Sequence, residues 1–229
     1  MLETPVEDQG GGRMVMDLAQ AIVNRRTIRK YLNKDVPDEL LDKAFDLARW
    51  APSGGNFQTW KFLVVKNREI IGKIADAVQE KVDILTNWPE AQEHGDTAER
   101  YRKNASFFRE APVLIVALNG QYKSVVDLIL SKRGEEDPLA KEMVENRRSA
   151  PTGIQQVGGF VAHLLLILHS MGLGTCWMSG PLIAKREIEE ILEVAEGWDL
   201  VAFIPVGYPA ENPPAKPRKT VDELAQYVK

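Results

Sequence analysis

The sequence has a single cysteine, Cys176, in 229 residues. No disulfide can form within the chain, and a reducing compartment fits. It has three histidines, His94, His163 and His169, too few and too scattered for a zinc or di-iron centre. Long apolar runs are missing. The most apolar stretch, 160–168, is nine residues interrupted by His163, whereas a membrane-spanning helix needs about 20. The segment 1–12 is acidic and ends in three glycines. It lacks the basic start and apolar stretch of a secretory leader, so we read 1–15 as a flexible lead-in and expect a cytoplasmic protein with no membrane partner. Positive charge is not in excess either: 29 Lys and Arg stand against 33 Asp and Glu, a net charge of −4. That balance argues against a general nucleic-acid binder. No G-x-G-x-x-G follows a strand pattern and no G-x-x-x-x-G-K-[ST] occurs, so dinucleotide-fold and P-loop readings lack support.

What is present is ordinary globular composition, 44% hydrophobic and 27% charged. A chain of this length buries roughly 70–75% of its unfolded surface and needs no staple. No repeat or linker divides it, so 16–229 reads as one domain. A short helix is expected over 16–23. A second begins near Pro37, carries Leu40, Leu41, Ala44, Leu47, Ala48 and Ala51 at helical spacing, and stops at Pro52. A strand over 62–65 and a helix over 70–85 follow. Residues 87–109 are polar and give no clear period. A continuous apolar run at 113–118 predicts a buried strand. Residues 119–148 are charged and only weakly helical, and 87–148 as a whole reads as a lid or substrate segment. The helix 153–171 is apolar on most of its circumference, so it is buried within the chain or between subunits. Gly172-Leu173-Gly174 ends it. Strands over 175–178 and 200–206, a helix over 183–194, and a proline-rich extended tail over 207–219 complete an α+β chain of about four core strands.

Four segments could carry chemistry. Arg25, Arg26, Thr27 and Arg29 place guanidinium groups and a hydroxyl together. Such a set binds phosphate through bidentate and short hydrogen bonds, or is a solvated basic patch. Pro52, Ser53, Gly54, Gly55, Asn56 and Gln58 make a tight turn with open amides, followed by Trp60. This is a binding loop for a polar planar ligand, or only a turn. In Gly174-Thr175-Cys176-Trp177-Met178-Ser179-Gly180 small residues admit a ligand close to the backbone. Cys176, among apolar neighbours, reads as a buried inert thiol. Lys216 and Arg218 form a second basic cluster on the stiff tail, or a solvated terminus. His163 and His169, six apart on the long helix, read as core or cap residues.

Taken in order, R-R-T-x-R, A-P-S-G-G-N-x-Q-x-W, G-L-G-T-C-W-x-S-G and K-x-R-K resemble the nitroreductase family of flavin enzymes over about 16–219. The resemblance implies an α+β fold with a central, mostly antiparallel sheet flanked by helices. It implies a homodimer with the long buried helix at its interface, and one FMN per subunit bound between the subunits. Hydride would come from NADH or NADPH, and two electrons would pass to a nitroaromatic, quinone or similar small acceptor by a ping-pong mechanism. By position, Arg25 and Thr27, with Arg26 beside them, resemble the residues that hold the FMN phosphate, and Arg29 the basic residue at the flavin N1/O2 edge. Pro52, Ser53, Gly54, Asn56 and Gln58 resemble the loop that reaches FMN from the partner. Trp177 and Met178 lead to Ser179 and Gly180, whose backbone amides match those facing N5 and O4. Lys216 and Arg218 match the returning tail that closes on the phosphate. On this resemblance Arg29, Ser179 and Gly180 are the catalytic set. Two residues depart from the usual pattern: Thr59 where many members have proline, and Ser179 where many have glutamate. Asn104 stands in for a mid-chain asparagine of the family. Relatives with other flavin chemistry, reductive dehalogenation or flavin fragmentation, share much of the pattern, and a non-enzymatic FMN carrier is a further alternative.

Overall fold

The computed structural model describes residues 16–229, so the expected lead-in over 1–15 lies outside the described residues. One sheet organises them: β1 (Trp60–Val65), β2 (Val113–Gly120), β3 (Gly174–Thr175) and β4 (Trp198–Gly207), in the order β1-β2-β4-β3, every pairing antiparallel. Around it lie α1 (Leu18–Asn24), α2 (Asp38–Ala48), α3 (Arg68–Thr86), α4 (Pro89–Gln92), α5 (Gly95–Asn104), α6 (Val125–Arg133), α7 (Pro138–Arg148), α8 (Thr152–Ser170), α9 (Lys185–Ile191) and α10 (Val221–Leu224), with 3₁₀ turns at Gly54–Asn56, Phe107–Glu110 and Gly180–Ala184. The α+β expectation holds, with more helices than expected because the polar stretches 87–109 and 119–148 fold into α4 to α7.

Alternation along the central strands makes three layers. Val113, Ile115 and Ala117 of β2, with Ala202, Ile204 and Val206 of β4, face α2 and α8. Leu114, Val116 and Leu118, with Leu200 and Phe203, face α3 and α9. Because side chains on a strand alternate between faces, an apolar run such as β2 is stable only with both faces covered. The register shift between Ala117 and Leu118 tightens the twist there. Helix α3 buries Ile71, Ile74, Ala75, Val78 and Val82, and the Asn67 side chain caps it by accepting from the amides of Glu69 and Ile70.

Helix α8 buries Val157, Phe160, Val161, Leu164, Leu165 and Leu168, a stripe at helical spacing laid against the sheet. Its other side is also apolar but uncovered within one chain, with Ile154 49% exposed. By length and composition alone the helical stretch Pro138–Ser170, which takes in α7 and α8, is long and apolar enough to cross a membrane, a test that a helix packed in a protein core also passes, and 44% of its most apolar window is buried inside the chain.

Two glycines decide how the chain before α2 meets the sheet. Gly174 and Gly207 are cross-strand partners. A Cβ on Gly174 would lie 2.8 Å from Ile28, and one on Gly207 2.7 Å from Pro112 and 2.9 Å from Tyr31. Their bare backbones admit the segment 27–32 against the sheet edge. Thr27 bridges Thr175 in parallel and Tyr31 bridges Pro209. The Tyr31 hydroxyl donates to the Ile28 carbonyl at 2.6 Å. The expected strand over 175–178 is shorter than its apolar pattern: the ladder ends at Thr175, and Met178 rejoins the sheet as an isolated bridge to Phe203. The expected 183–194 helix likewise divides into a 3₁₀ turn and α9.

Candidate functional site

The segment 27–32 is held from both sides. Its Ile28 amide donates to the Thr175 carbonyl, while Leu32 donates to Tyr208 and Ala210 donates back to Lys30, each at 2.9 Å. This clamp fixes where the basic residues emerge. Arg25 ends α1 half-buried. Burial holds its guanidinium below the usual range, and the charges of Arg26 and Arg218 push in the same direction. The tail arginine therefore returns to the first cluster, although 193 positions separate Arg25 from Arg218. Among the described residues none of Arg25, Arg26, Arg29, Lys216 and Arg218 has a carboxylate within ion-pair distance. Like charges gathered without ion-pair partners repel each other. Such a cluster is stabilised when an anion joins it.

The members differ in what they do. Arg26 turns back to donate to the carbonyls of Val23 at 2.7 Å and Arg25 at 3.0 Å, closing the C-terminus of α1. Arg29 is exposed, with its guanidinium carbon 6.0 Å from the Phe107 ring centroid. Arg218 donates to the carbonyls of Lys216 and Pro217, which curls the tail. Cys176 is 4% exposed. Burial pushes its thiol up, against a pull from Arg29 and Arg25, so it is a neutral thiol packed beneath the arginines, as its apolar neighbours predict. His169, at the end of α8, is neighboured by Arg25 and Arg26. Burial lowers its imidazole, those two charges add to the effect, and its Nε2 is buried without a hydrogen-bond partner among the described residues.

Beyond Cys176, Trp177 is 47% exposed, with its ring 3.5 Å from where a Cβ on Gly158 of α8 would stand, and Met178 is buried. Ser179 and Gly180 are exposed. A Cβ on Gly180 would lie 3.5 Å from the Tyr101 hydroxyl. Tyr101 on α5 thus stands over the Ser179–Gly180 backbone. Sequence reasoning missed it, because α5 is polar throughout and gives no period. Asn104, on the same helix, is exposed and donates to the Arg100 carbonyl at 2.7 Å.

The loop 52–58 lies elsewhere. Ser53 Oγ donates to Gln156 Oε1 at 2.9 Å and accepts from the Gln58 amide at 2.7 Å. Asn56 and Gln58 both take positive φ, 56° and 49°, a region costly for residues with a Cβ. The Gln58 amide group donates to Asn56 Oδ1 at 3.2 Å, and Pro52 is exposed. A Cβ on Gly54 would meet Gln156 Nε2 and the Tyr122 hydroxyl, each at 3.3 Å. Gln156 Nε2 is buried with no acceptor among the described residues. The loop therefore sits at the N-terminal end of α8, while Arg25 and Arg26 neighbour His169 at the other. Thirteen residues separate Gln156 from His169, about 20 Å at 1.5 Å per residue. One chain brings Arg25, Thr27, Arg29, Cys176 and Arg218 together, and holds Ser53, Gly54, Asn56 and Gln58 at a distance from them. Among the described residues no His, Cys, Asp and Glu cluster could hold a metal ion.

Comparison with known proteins places the chain in a family. The chain is 30% identical over 200 residues to a protein of Methanothermobacter thermautotrophicus named "Putative NADH dehydrogenase/NAD(P)H nitroreductase", covering 86% of this chain and 80% of that one. It superimposes with a TM-score of 0.80 on a BluB-like flavoprotein from Clostridium difficile 630, 30% identical, over 93% of this chain and all of the other. It is also similar to an iodotyrosine deiodinase bound to FMN and 3-iodo-L-tyrosine, with a TM-score of 0.69 and 25% identity over 93% of this chain and all of the other. The Nitroreductase family profile matches residues 22–208, which takes in the first basic cluster, the glycine loop, the sheet and the Ser179–Gly180 turn: the chain belongs to the nitroreductase family.

Proposed function

We propose that this chain is an FMN-dependent oxidoreductase, active as a homodimer, that passes two electrons from NADH or NADPH to a small acceptor such as a nitroaromatic or a quinone. The observation that carries the proposal is the set of cations Arg25, Arg29, Lys216 and Arg218, which lack carboxylate partners among the described residues, with Arg25 depressed by burial and by Arg218. A phosphate dianion is the ligand that such a donor set fits. When bound, FMN supplies the two-electron chemistry, and the protein contributes position and electrostatics. Arg25 and Thr27 hold the phosphate, and Lys216 and Arg218 close over it. Arg29 sets a positive charge at the N1/O2 edge. The backbone amides of Ser179 and Gly180 would hold the flavin at N5 and O4, a contact that Ser179 would make as well as the more common glutamate there. The Tyr101 hydroxyl borders the space in which nicotinamide and acceptor take turns. No side-chain acid or base is required.

The separation along α8 supports the dimer. A two-fold pairing brings the 52–58 loop of one chain to the arginines of the other, which neither chain achieves alone. Leu18, Ile22 and Val23 of α1 and Ile154 of α8, each about half exposed or more, supply the apolar surface for that pairing. Light scattering of the flavin-loaded protein is expected to give twice the chain mass; a loaded monomer overturns this part of the proposal.

The test is an absorption spectrum of the purified protein, then anaerobic addition of NADH and NADPH. Oxidised-flavin bands that bleach with either nucleotide, and return with nitrofurazone or a quinone, are expected. A colourless protein that takes up no added FMN refutes the proposal. Reductive dehalogenation is the second reading, favoured by the likeness to a 3-iodotyrosine-bound structure. Halide release from a halotyrosine, with slow nitrofurazone turnover, selects it over the first.

A further inference from the structure

The arginine cluster is assembled from two stretches of chain far apart in sequence, and one carboxylate joins them. Glu211 Oε1 accepts from the Arg29 amide at 2.6 Å and from the Lys30 amide at 3.1 Å. Glu211 is half-buried. Among the described residues it forms no ion pair, although the two residues whose amides it accepts from are basic. Its negative charge is directed at two consecutive backbone N–H groups. The guanidinium of Arg29 therefore stays free to face a ligand.

Beyond Glu211 the tail has no other tether of this kind. Upstream, Leu32, Tyr208, Lys30 and Ala210 pair through their backbones. Downstream, Pro213, Pro214 and Pro217 have no N–H to donate. The remaining hydrogen bonds from Asn212 onward, among the described residues, lie within the tail itself, from Arg218 to Lys216 and Pro217 and between Thr220 and Glu223. Arg218 approaches Arg25, which repels it. An attachment that resists this repulsion has to lie at the base of the tail.

We propose that Glu211 is a positioning residue for the flavin site: a carboxylate clasp that fixes the backbone of Arg29 and tethers the Lys216–Arg218 tail over the phosphate position. This inference rests on the FMN reading for what the clasp positions, but the clasp exists without the flavin. It acts through an acceptor oxygen at one place. Glu211→Gln keeps that oxygen, whereas Glu211→Asp keeps the charge and withdraws it by one methylene.

The experiment compares the wild type with E211Q, E211D and E211A in two assays. In the first, flavin-free protein is treated with trypsin, and cleavage after Arg218 and Lys219 is timed. E211D and E211A are expected to lose the tail about tenfold faster, with E211Q within about threefold of wild type. In the second, FMN affinity and the midpoint potential of the bound flavin are measured. E211D and E211A are expected to bind FMN about tenfold more weakly and at a lower potential, because a displaced Arg29 no longer supports negative charge at the N1/O2 edge. E211Q is expected to retain both. The conservative pair E211Q and E211D decides the matter if E211A does not fold. Unchanged tail cleavage in E211D and E211A overturns the clasp, as does equal loss in E211Q and E211D. If wild type binds no FMN, the proposed function fails, and the trypsin result on flavin-free protein still judges the clasp.

Discussion

Arg25 and Arg26 are neighbours with the same side chain, and their surroundings give them different work. Arg25 is depressed by burial and by the approach of Arg218, while Arg26 spends its guanidinium on two carbonyls of its own helix end. Arg25→Ala is expected to weaken FMN binding about tenfold to a hundredfold, the value of a charge-assisted hydrogen bond, by fluorescence titration. Arg26→Ala should instead lower the melting temperature and leave FMN affinity within about threefold, since it removes a helix cap; the reverse pattern would assign the phosphate to Arg26. His169 gives a pH dependence. Its imidazole lies below its ordinary 6.5 in the folded chain because it is buried and faces Arg25 and Arg26. The unfolded chain therefore binds more protons just below that value. Stability is full above about pH 6.5 and declines as pH falls from there toward the folded value, where the decline stops. Thermal melts of flavin-free protein from about pH 7.5 to 5 should show this fall in wild type and a smaller one in His169→Gln. An identical fall in both would remove His169 from the account. The arginine sets were legible in the sequence because clustered cations stand out against a net-negative chain. Glu211, Tyr101 and Gln156 were not. Each is a single polar residue whose role comes from a partner far along the chain.

At the level of elements, legibility followed periodicity. Strand β2 and helices α2, α3 and α8 announce themselves through apolar runs or helical stripes, and the structure places them within a few residues of the expected bounds. Helix α6 does not. Its sequence, VVDLILSKR, spreads its apolar residues around the helix between Asp127 at one end and Lys132 and Arg133 at the other, so no face is marked. Val125, Leu128 and Ile129 are all more than half exposed in the single chain. What starts α6 and α7 is chemistry of caps: Ser124 and Asp127 form a capping box before α6, and Asp137 accepts from the amides of Leu139 and Ala140 before α7. Arg147 of α7 reaches back to Asp127 at 2.7 Å and, with Ser124, holds that carboxyl well below its usual range. The short β3 shows the opposite case, an apolar pattern longer than its strand, because the sheet edge is shared with 27–32. Gly174→Ala tests that sharing. Its Cβ would press on Ile28 at 2.8 Å, and overpacking of this kind costs about 1–3 kcal/mol. A fall in melting temperature of roughly 2–4 °C per kcal/mol is expected, together with weaker FMN binding, since 27–32 carries Thr27 and Arg29. A neutral Gly174→Ala would show that the segment does not need its close approach.

For the whole molecule, the governing fact is that the 52–58 loop and the arginine cluster lie at opposite ends of α8, as the two halves of the proposed shared site. Co-expression separates a shared site from a private one. A chain with Arg25→Ala is paired with a chain whose loop is damaged by Ser53→Ala and Asn56→Ala. In a shared arrangement the mixed dimer has one site with both defects and one with none, so about half the wild-type flavin content returns. If each chain built its own site, no mixture would recover it. The sequence could name both half-sites but not their separation, because distance along α8 depends on which residues meet its two ends, and Ser53 and Arg25 carry no mark of that.

Under the proposed shared site, the spacing of Gln156 and His169, thirteen residues apart on one rigid rod, would also tie the colour of a solution to its concentration. A ligand that needs two chains is held by the square of the chain concentration, not by the chain alone. Dilution below the pairing constant should release flavin from otherwise folded protein, and excess flavin should in turn draw chains into pairs. Newly made subunits would remain dark until they met, so electron transfer would begin only where the protein had accumulated enough to find itself.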